Sequence, residues 1–222
     1  MRRWNGKVLA VALVAGGLSV MAAGVLSRFQ VAWAASASIA SLWGFLLVAV
    51  IYAFVRGRPA GLFRFRGTDV LWGVAVGLAL RAVQGWVSAA DTKPFPVLPG
   101  EGGSEAYRGW AVQVVPTTLV GPIVEELFFR AVVLVTVYQI FRRSLGYVAA
   151  SVTAILSSAG GFVLLHTFFS PLALTDALQL FLVGAAAAVL VIMTGRLWAA
   201  MLAHLVYNVS FLVLVVVGTA LG

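Results

Sequence analysis

The chain contains no cysteine. That absence excludes a disulfide framework, a thiolate nucleophile and a thiolate metal ligand. Charge is also scarce: 10% of the 222 residues are Asp, Glu, Lys or Arg, against roughly 25% in a soluble domain. Acids are the scarcest, with seven Asp and Glu against fifteen Lys and Arg, and only two histidines are present. Several hydrolase signatures are missing. There is no HExxH segment, no GxSxG surrounds Ser157 or Ser158, and Asp69, Asp91 and Asp176 fall in loops or at span edges rather than as a facing pair. No internal repeat or low-complexity tract is evident.

What the chain has instead is apolar length. Hydrophobic residues make up 62% of it, and the mean hydropathy is +1.05. Such a chain takes the lipid bilayer as its solvent. A membrane-crossing helix needs about 20 mostly apolar residues, and seven segments qualify: 8–27, 39–55, 70–90, 112–140, 147–168, 177–193 and 198–220. The expected fold class is an all-α polytopic membrane helix bundle, with residues 1–222 forming a single integral membrane domain. Arg2, Arg3 and Lys7 before the first segment and "AWAASAS" after it imitate a signal peptide. The apolar run is longer than the 7–15 residues of a signal core, so it reads as an uncleaved first span.

The net charge of +8 does not indicate nucleic acid, because the basic residues sit in short clusters between apolar runs. Arg2, Arg3, Lys7, Arg56, Arg58, Arg64, Arg66, Arg142, Arg143 and Arg196 fall on one side of the seven spans; only Arg28, Lys93 and Arg108 fall on the other. The positive-inside rule then puts the N-terminus in the cytoplasm and the C-terminus outside, in the plasma membrane. Trp4, Trp33, Trp72, Trp110 and Trp198 lie near span ends, as in an aromatic belt. Residues 91–108, rich in Pro and Gly, read as an external loop, and "GVAVG" (73–77) reads as a close helix-packing motif.

Against this background "VEELFFR" (124–130) needs a reason. Glu125, Glu126 and Arg130 lie near the middle of the fourth span, where each charge costs about 2.5–3.5 kcal/mol on insertion scales. Glu126 and Arg130 are four residues apart and share a helix face, so a salt bridge accounts for both. Glu125 is turned about 100° away and is left over. A carboxylate in apolar surroundings beside a second carboxylate suits a general base or a proton carrier. Both histidines also fall in spans, His166 ending "FVLLH" and His204 opening "HLVYN". Phe162 shares a face with His166, and His204 with Asn208. Singly, each histidine is an ordinary interhelical hydrogen-bonding residue. Together, two imidazoles, an amide and a carboxylate from three spans define a polar pocket in an apolar wall. Gly160 and Gly161 provide either a kink or a close helix approach beside it.

Two chemistries suit this set. In one, Glu125 takes a proton from water, His166 helps to hold that water, and His204 and Asn208 donate to a developing oxyanion. In the other, Glu125, His166 and His204 ligate a divalent metal such as zinc, with a position open to water.

The three motifs "EELFFR", "FVLLH" and "HLVYN", in this order on separate spans, resemble the EExxxR, FxxxH and HxxxN motifs of the CPBP family. That family includes the type II CAAX prenyl endopeptidases and bacteriocin-processing or immunity proteins. The resemblance covers about residues 110–215; the first three spans are not diagnostic. It implies a CAAX-protease-like helical fold and an endopeptidase acting on membrane-associated peptide or protein substrates, lipidated CAAX-type ones included. It also implies Glu125 and His166 on the water, His204 and Asn208 in the oxyanion hole, and no cofactor, although members have been called metalloproteases. Glu126, Arg130 and Phe162 take supporting places in the motifs. Rival readings are a non-catalytic scaffold or immunity protein and a proton-coupled transporter using Glu125, but no broken inverted-repeat helices support the transporter.

Two points stay open in the sequence. Counted from the basic ends of the spans at about 1.5 Å per residue, Glu125 and His166 fall in the outer half, but His204 lies only roughly 10 Å in. One site then requires tilted helices or a basic-side overhang of the hairpin between spans four and five. Arg81 interrupts the third span and either pairs with a glutamate of the pocket or snorkels along its stem.

Overall fold

A computed structural model describes residues 4–31, 33–98, 103–168 and 171–221, with the backbone alone over 103–113. Arg2 and Arg3, and the side chains of Arg108 and Trp110, lie outside the described residues. Every regular element described is helical. Helices α1 (Gly6–Leu26), α2 (Ala34–Arg56) and α3 (Gly67–Val87) come first, then a single 3₁₀ turn at Ala90–Thr92. Helix α4 (Gly103–Glu126) passes into a π-helical segment (Leu127–Leu134) and on into α5 (Val135–Thr167). Helices α6 (Leu174–Thr194) and α7 (Trp198–Leu221) complete the bundle.

Six helical stretches are long and apolar enough to cross a membrane. One of them, Val114–Thr167, is 54 residues long. As a straight rod it would span about 80 Å, far more than the ~30 Å hydrocarbon core. It is not straight: Gly146 has φ 75° and ψ −178°, a backbone that glycine adopts without steric penalty. The stretch folds back there, so the expected spans four and five are its two limbs and the seven expected rods are all present. Many large apolar side chains, among them Leu13, Ile51, Leu71, Leu156 and Leu178, remain exposed on the outside of the bundle. That is a lipid-facing surface, and the chain is an integral membrane protein.

Small residues set the packing. α3 runs parallel to α7 and presses against it through Gly73 and Gly77. A Cβ on Gly73 would collide with Leu202, and one on Gly77 would lie 2.6 Å from the Ala203 carbonyl. The "GVAVG" motif is therefore a packing motif, and it fixes the back of the turn that carries His204. One turn further along the same face, Arg81 donates to Ser210 Oγ at 3.1 Å, to the Tyr207 carbonyl at 2.5 Å and to Gln84. Its guanidinium lies 4.2 Å from the centre of the Tyr207 ring. Neither expectation for Arg81 holds: it neither pairs with a pocket glutamate nor snorkels, because neutral acceptors on α7 are within its reach.

Other expectations are corrected locally. Trp4 is no belt residue: it is 3% exposed, and its indole donates to the carbonyls of Ala53 at 2.8 Å and Gly57 at 3.0 Å. The loop expected over 91–108 gives way to α4 at Gly103. Before that its Leu98 amide donates to Thr219 Oγ1 at 2.8 Å, so it is laid against the end of α7. Asp69, expected at a loop edge, is fully buried in the first turn of α3 and gripped by Arg196 through two nitrogens. That clamp ties α3 to the α6–α7 turn.

The depth problem is settled by an overhang. Glu126 and His204 meet at 3.0 Å and so are level, yet Gly146 at the hairpin tip lies twenty residues beyond Glu126 and Gly195 of the α6–α7 turn only nine before His204, so the tip extends past the turn.

Replacing Gly77 with Val should lower the melting temperature in detergent, since overpacking of this kind costs about 1–3 kcal/mol. Gly160→Val, where a Cβ meets nothing within 4 Å, is the control and should leave the melting temperature nearly unchanged.

Candidate active site

The site is assembled around the π-helical segment. Its hydrogen bonds skip one residue further than in an α-helix, and such segments recur at functional sites. Seven of its eight residues, Phe128 to Leu134, are buried, so it forms the centre of the bundle. Glu125 and Glu126 sit at its entrance and Arg130 inside it.

Glu126 and Arg130 are both 0% exposed and 3.3 Å apart, as their spacing led one to expect. Arg130 Nη2 also donates to the Gly184 carbonyl of α6 at 3.2 Å. A side chain at Gly184 would press on Arg130 and on Ala159, so this glycine admits the guanidinium between α5 and α6. The arginine lies over the Phe162 ring at 4.8 Å. The pair is nonetheless imperfectly satisfied. Arg130 Nη1 faces Glu126 without hydrogen-bond geometry, and Glu126 Oε2 and Arg130 Nε are buried without a partner among the described residues.

The sequence reading missed the next contact. Glu126 Oε1 is 3.0 Å from His204 Nδ1. A carboxylate can only accept, so His204 carries its proton on Nδ1 and turns Nε2 outward. That nitrogen stands 3.8 Å from Glu125 Oε2, a gap that a shared water or a small closing movement can bridge. The order across the site is guanidinium, carboxylate, imidazole, carboxylate. No pattern in the sequence signals the Glu126–His204 link, because the two residues are 78 positions apart.

His166 is held in a different way. Its Nδ1 is 2.9 Å from the carbonyl of Phe162, one turn earlier. The carbonyl can only accept, so the neutral ring presents Nε2 as a lone pair. Phe162 stands between the two imidazoles, with ring centres 4.5 Å from His166 and 5.5 Å from His204. A Cβ on Gly161 would lie 3.3 Å from the Phe129 ring, so this glycine allows the close approach, and the only non-helical backbone in α5 is at Gly146. Of the two roles weighed for the glycine pair, the approach is the one found.

Glu125, His166, His204 and Asn208 all line a single cavity of about 350 Å³, which Tyr207 and Trp43 help to wall. Glu125 is 13% exposed, through this cavity. Asn208's amide has no hydrogen-bond partner among the described residues. Glu126 and Arg130 do not reach the cavity; they act on it through His204. Among the described residues no three His, Asp or Glu side chains are grouped so as to hold a metal ion. Both histidine Nδ1 atoms are already engaged.

The fold and the site thus define a membrane-embedded helical protein with a glutamate, two histidines and an asparagine around one internal cavity. Residues 107–210 match the family model of the Rce1-like type II CAAX prenyl endopeptidases. The match spans all three motifs, and over that region the chain is similar to this family. No curated protein and no solved structure matches the chain.

Glu126→Gln and Arg130→Gln should each destabilise the protein severely, by about 3–5 kcal/mol, because either change strands a buried charge. Thermal unfolding in detergent measures this. A melting temperature within a degree or two of the parent would contradict the buried pair.

Proposed function

We propose that this chain is an intramembrane endopeptidase that hydrolyses peptide bonds of membrane-associated substrates, prenylated CAAX-type ones included, with a glutamate-activated water. The observation that carries the reading is the single cavity shared by Glu125, His166, His204 and Asn208. Its polar groups include two acceptors, Glu125 and His166 Nε2, and two groups that can donate, the Asn208 amide and His204.

Glu125 and His166 Nε2 hold a water between two lone-pair acceptors. As the water oxygen attacks the scissile carbonyl carbon, its proton passes to Glu125. The carbonyl oxygen gains the charge and is met by the Asn208 amide N–H and by His204. For His204 to donate from Nε2 while Nδ1–H faces Glu126, its ring must be the imidazolium. Arg130 lies against the Glu126 carboxylate and offsets its charge. The tetrahedral intermediate then collapses. The C–N bond breaks, and Glu125 returns its proton to the leaving amine. The partners are the lipid bilayer and a peptide or protein substrate, and the sequence gives no reason to include nucleic acid. In the proposed orientation the protein lies in the plasma membrane with its N-terminus cytoplasmic and its C-terminus external.

The test is Glu125→Gln in purified protein with a fluorogenic lipidated peptide. Cleavage should fall at least 10²–10⁴-fold, with the melting temperature preserved and with the parent enzyme indifferent to a chelator. Full activity of a folded Glu125→Gln protein would remove the mechanism and leave the scaffold reading; loss of parent activity in chelator would restore the metal.

A further inference from the structure

The chain is short of acid at its basic end. Of its seven carboxylates, Glu125 and Glu126 belong to the site. By chain position Asp91, Glu101, Glu105 and Asp176 fall at the opposite end. Only Asp69 remains for Arg56, Arg58, Arg64, Arg66, Arg142, Arg143 and Arg196, and Arg196 already holds both of its oxygens. The counter-charge for the others must come from outside the chain.

The fold concentrates that need at one place. The overhanging α5 hairpin stands over a cavity of about 480 Å³ whose rim carries Arg142, Arg143, Tyr138 and Tyr147. Tyr138 and Tyr147 meet edge to face at 6.1 Å, and Arg142 lies over the Tyr138 ring at 5.9 Å. Neither guanidinium has a hydrogen bond or a carboxylate partner among the described residues, and neither phenol hydroxyl is engaged. Gln139 Oε1 accepts from the Trp4 backbone N–H at 2.9 Å, which fixes that side chain as part of the wall. Beneath this polar rim the floor is apolar, formed by Leu62, Val135, Val191 and Ile192. The cavity therefore has the two-part chemistry of a phospholipid at the membrane surface, with donors and positive charge above and hydrocarbon below.

We propose that this cavity seats the anionic headgroup of a phospholipid, with its phosphate on Arg142 and Arg143 and the start of its acyl chains on the apolar floor. A free phosphate would use the rim alone; the floor favours the lipid. The site is separate from the cavity of Glu125, and the proposal does not depend on the enzymatic reading. An anionic lipid bound here would brace the tip of the hairpin whose two limbs carry Glu125 and His166.

The test is native mass spectrometry of the full chain in neutral detergent, titrated with phosphatidylglycerol or with phosphatidylcholine of the same chain length. The parent should retain phosphatidylglycerol preferentially. The Arg142→Gln/Arg143→Gln double variant should bind it roughly tenfold or more weakly, at about 1 kcal/mol per basic residue, with an unchanged lipid-free melting temperature. Arg64→Gln, a basic-end arginine outside the cavity, should keep the preference. The single variants, each expected to lose part of it, keep the test readable if the double variant does not fold. Equal binding of the two lipids by the parent, an undiminished preference in the double variant, or an equal loss in Arg64→Gln would each overturn the site. Displacement of the lipid by millimolar glycerol phosphate would assign the rim to a soluble phosphate and overturn the lipid.

Discussion

Glu126 is the point on which the rest of the structure depends. Its carboxylate, fully buried, meets Arg130 of the π-helical segment and His204 of α7. Arg130 in turn reaches the backbone of α6 at Gly184 and the ring of Phe162 on α5. Four separate rods are thereby joined at one ionic junction in the middle of an apolar bundle. Isolated charges at this depth are costly. The junction sets the Glu126 carboxylate against the Arg130 guanidinium, and the contact with Glu126 is what orients His204. Without Glu126 the imidazole has no fixed proton position, and the face it shows to the cavity is undefined.

The N-terminal helices hold this junction in place from outside. The Phe128 ring packs against Gly16 of α1, where a Cβ would lie 3.4 Å from it, and Trp43 of α2 packs against Gly121 of α4, where a Cβ would lie 3.6 Å from it. α3 grips α7 through Gly73 and Gly77, directly behind His204. The Asp69–Arg196 clamp and the bond from the Leu197 amide to the Leu62 carbonyl, at 2.9 Å, lock the basic end of the same pair. The matched family region stops short of these three helices, yet they determine how closely its rods approach.

Much of this could be read from the residues, and the reasons for the remainder are physical. Seven apolar runs and their charged ends were legible because the bilayer imposes a length and a charge rule on any chain that crosses it. Glu126 and Arg130 were legible as a pair because four residues along a helix is a local relation. The partnership of Glu126 with His204 was not, since it depends on how α4 and α7 dock. Nor was the π-helical segment, for "LFFRAVVL" reads as ordinary helix. Depth counting misplaced His204 relative to Glu125 because it started at the tip of the hairpin, and the tip overhangs. Arg81 was expected to seek a carboxylate because charge was weighed ahead of reach; the Tyr207 carbonyl and the Ser210 hydroxyl were nearer. Trp4 looked like a belt residue by position alone, and the open carbonyls at the end of α2 drew it inward.

With only two histidines in the chain, nitrogen-15 labelling of histidine gives a spectrum of two imidazoles and nothing else. That spectrum is the most direct measure of the junction. The account predicts a protonated, hydrogen-bonded Nδ1 on both rings, and a change confined to one of them in a Glu126→Asp variant that moves the carboxylate away from His204. Two rings indifferent to that change, or a His204 protonated on Nε2 alone, would contradict it and separate the buried ion pair from the cavity it is held to organise.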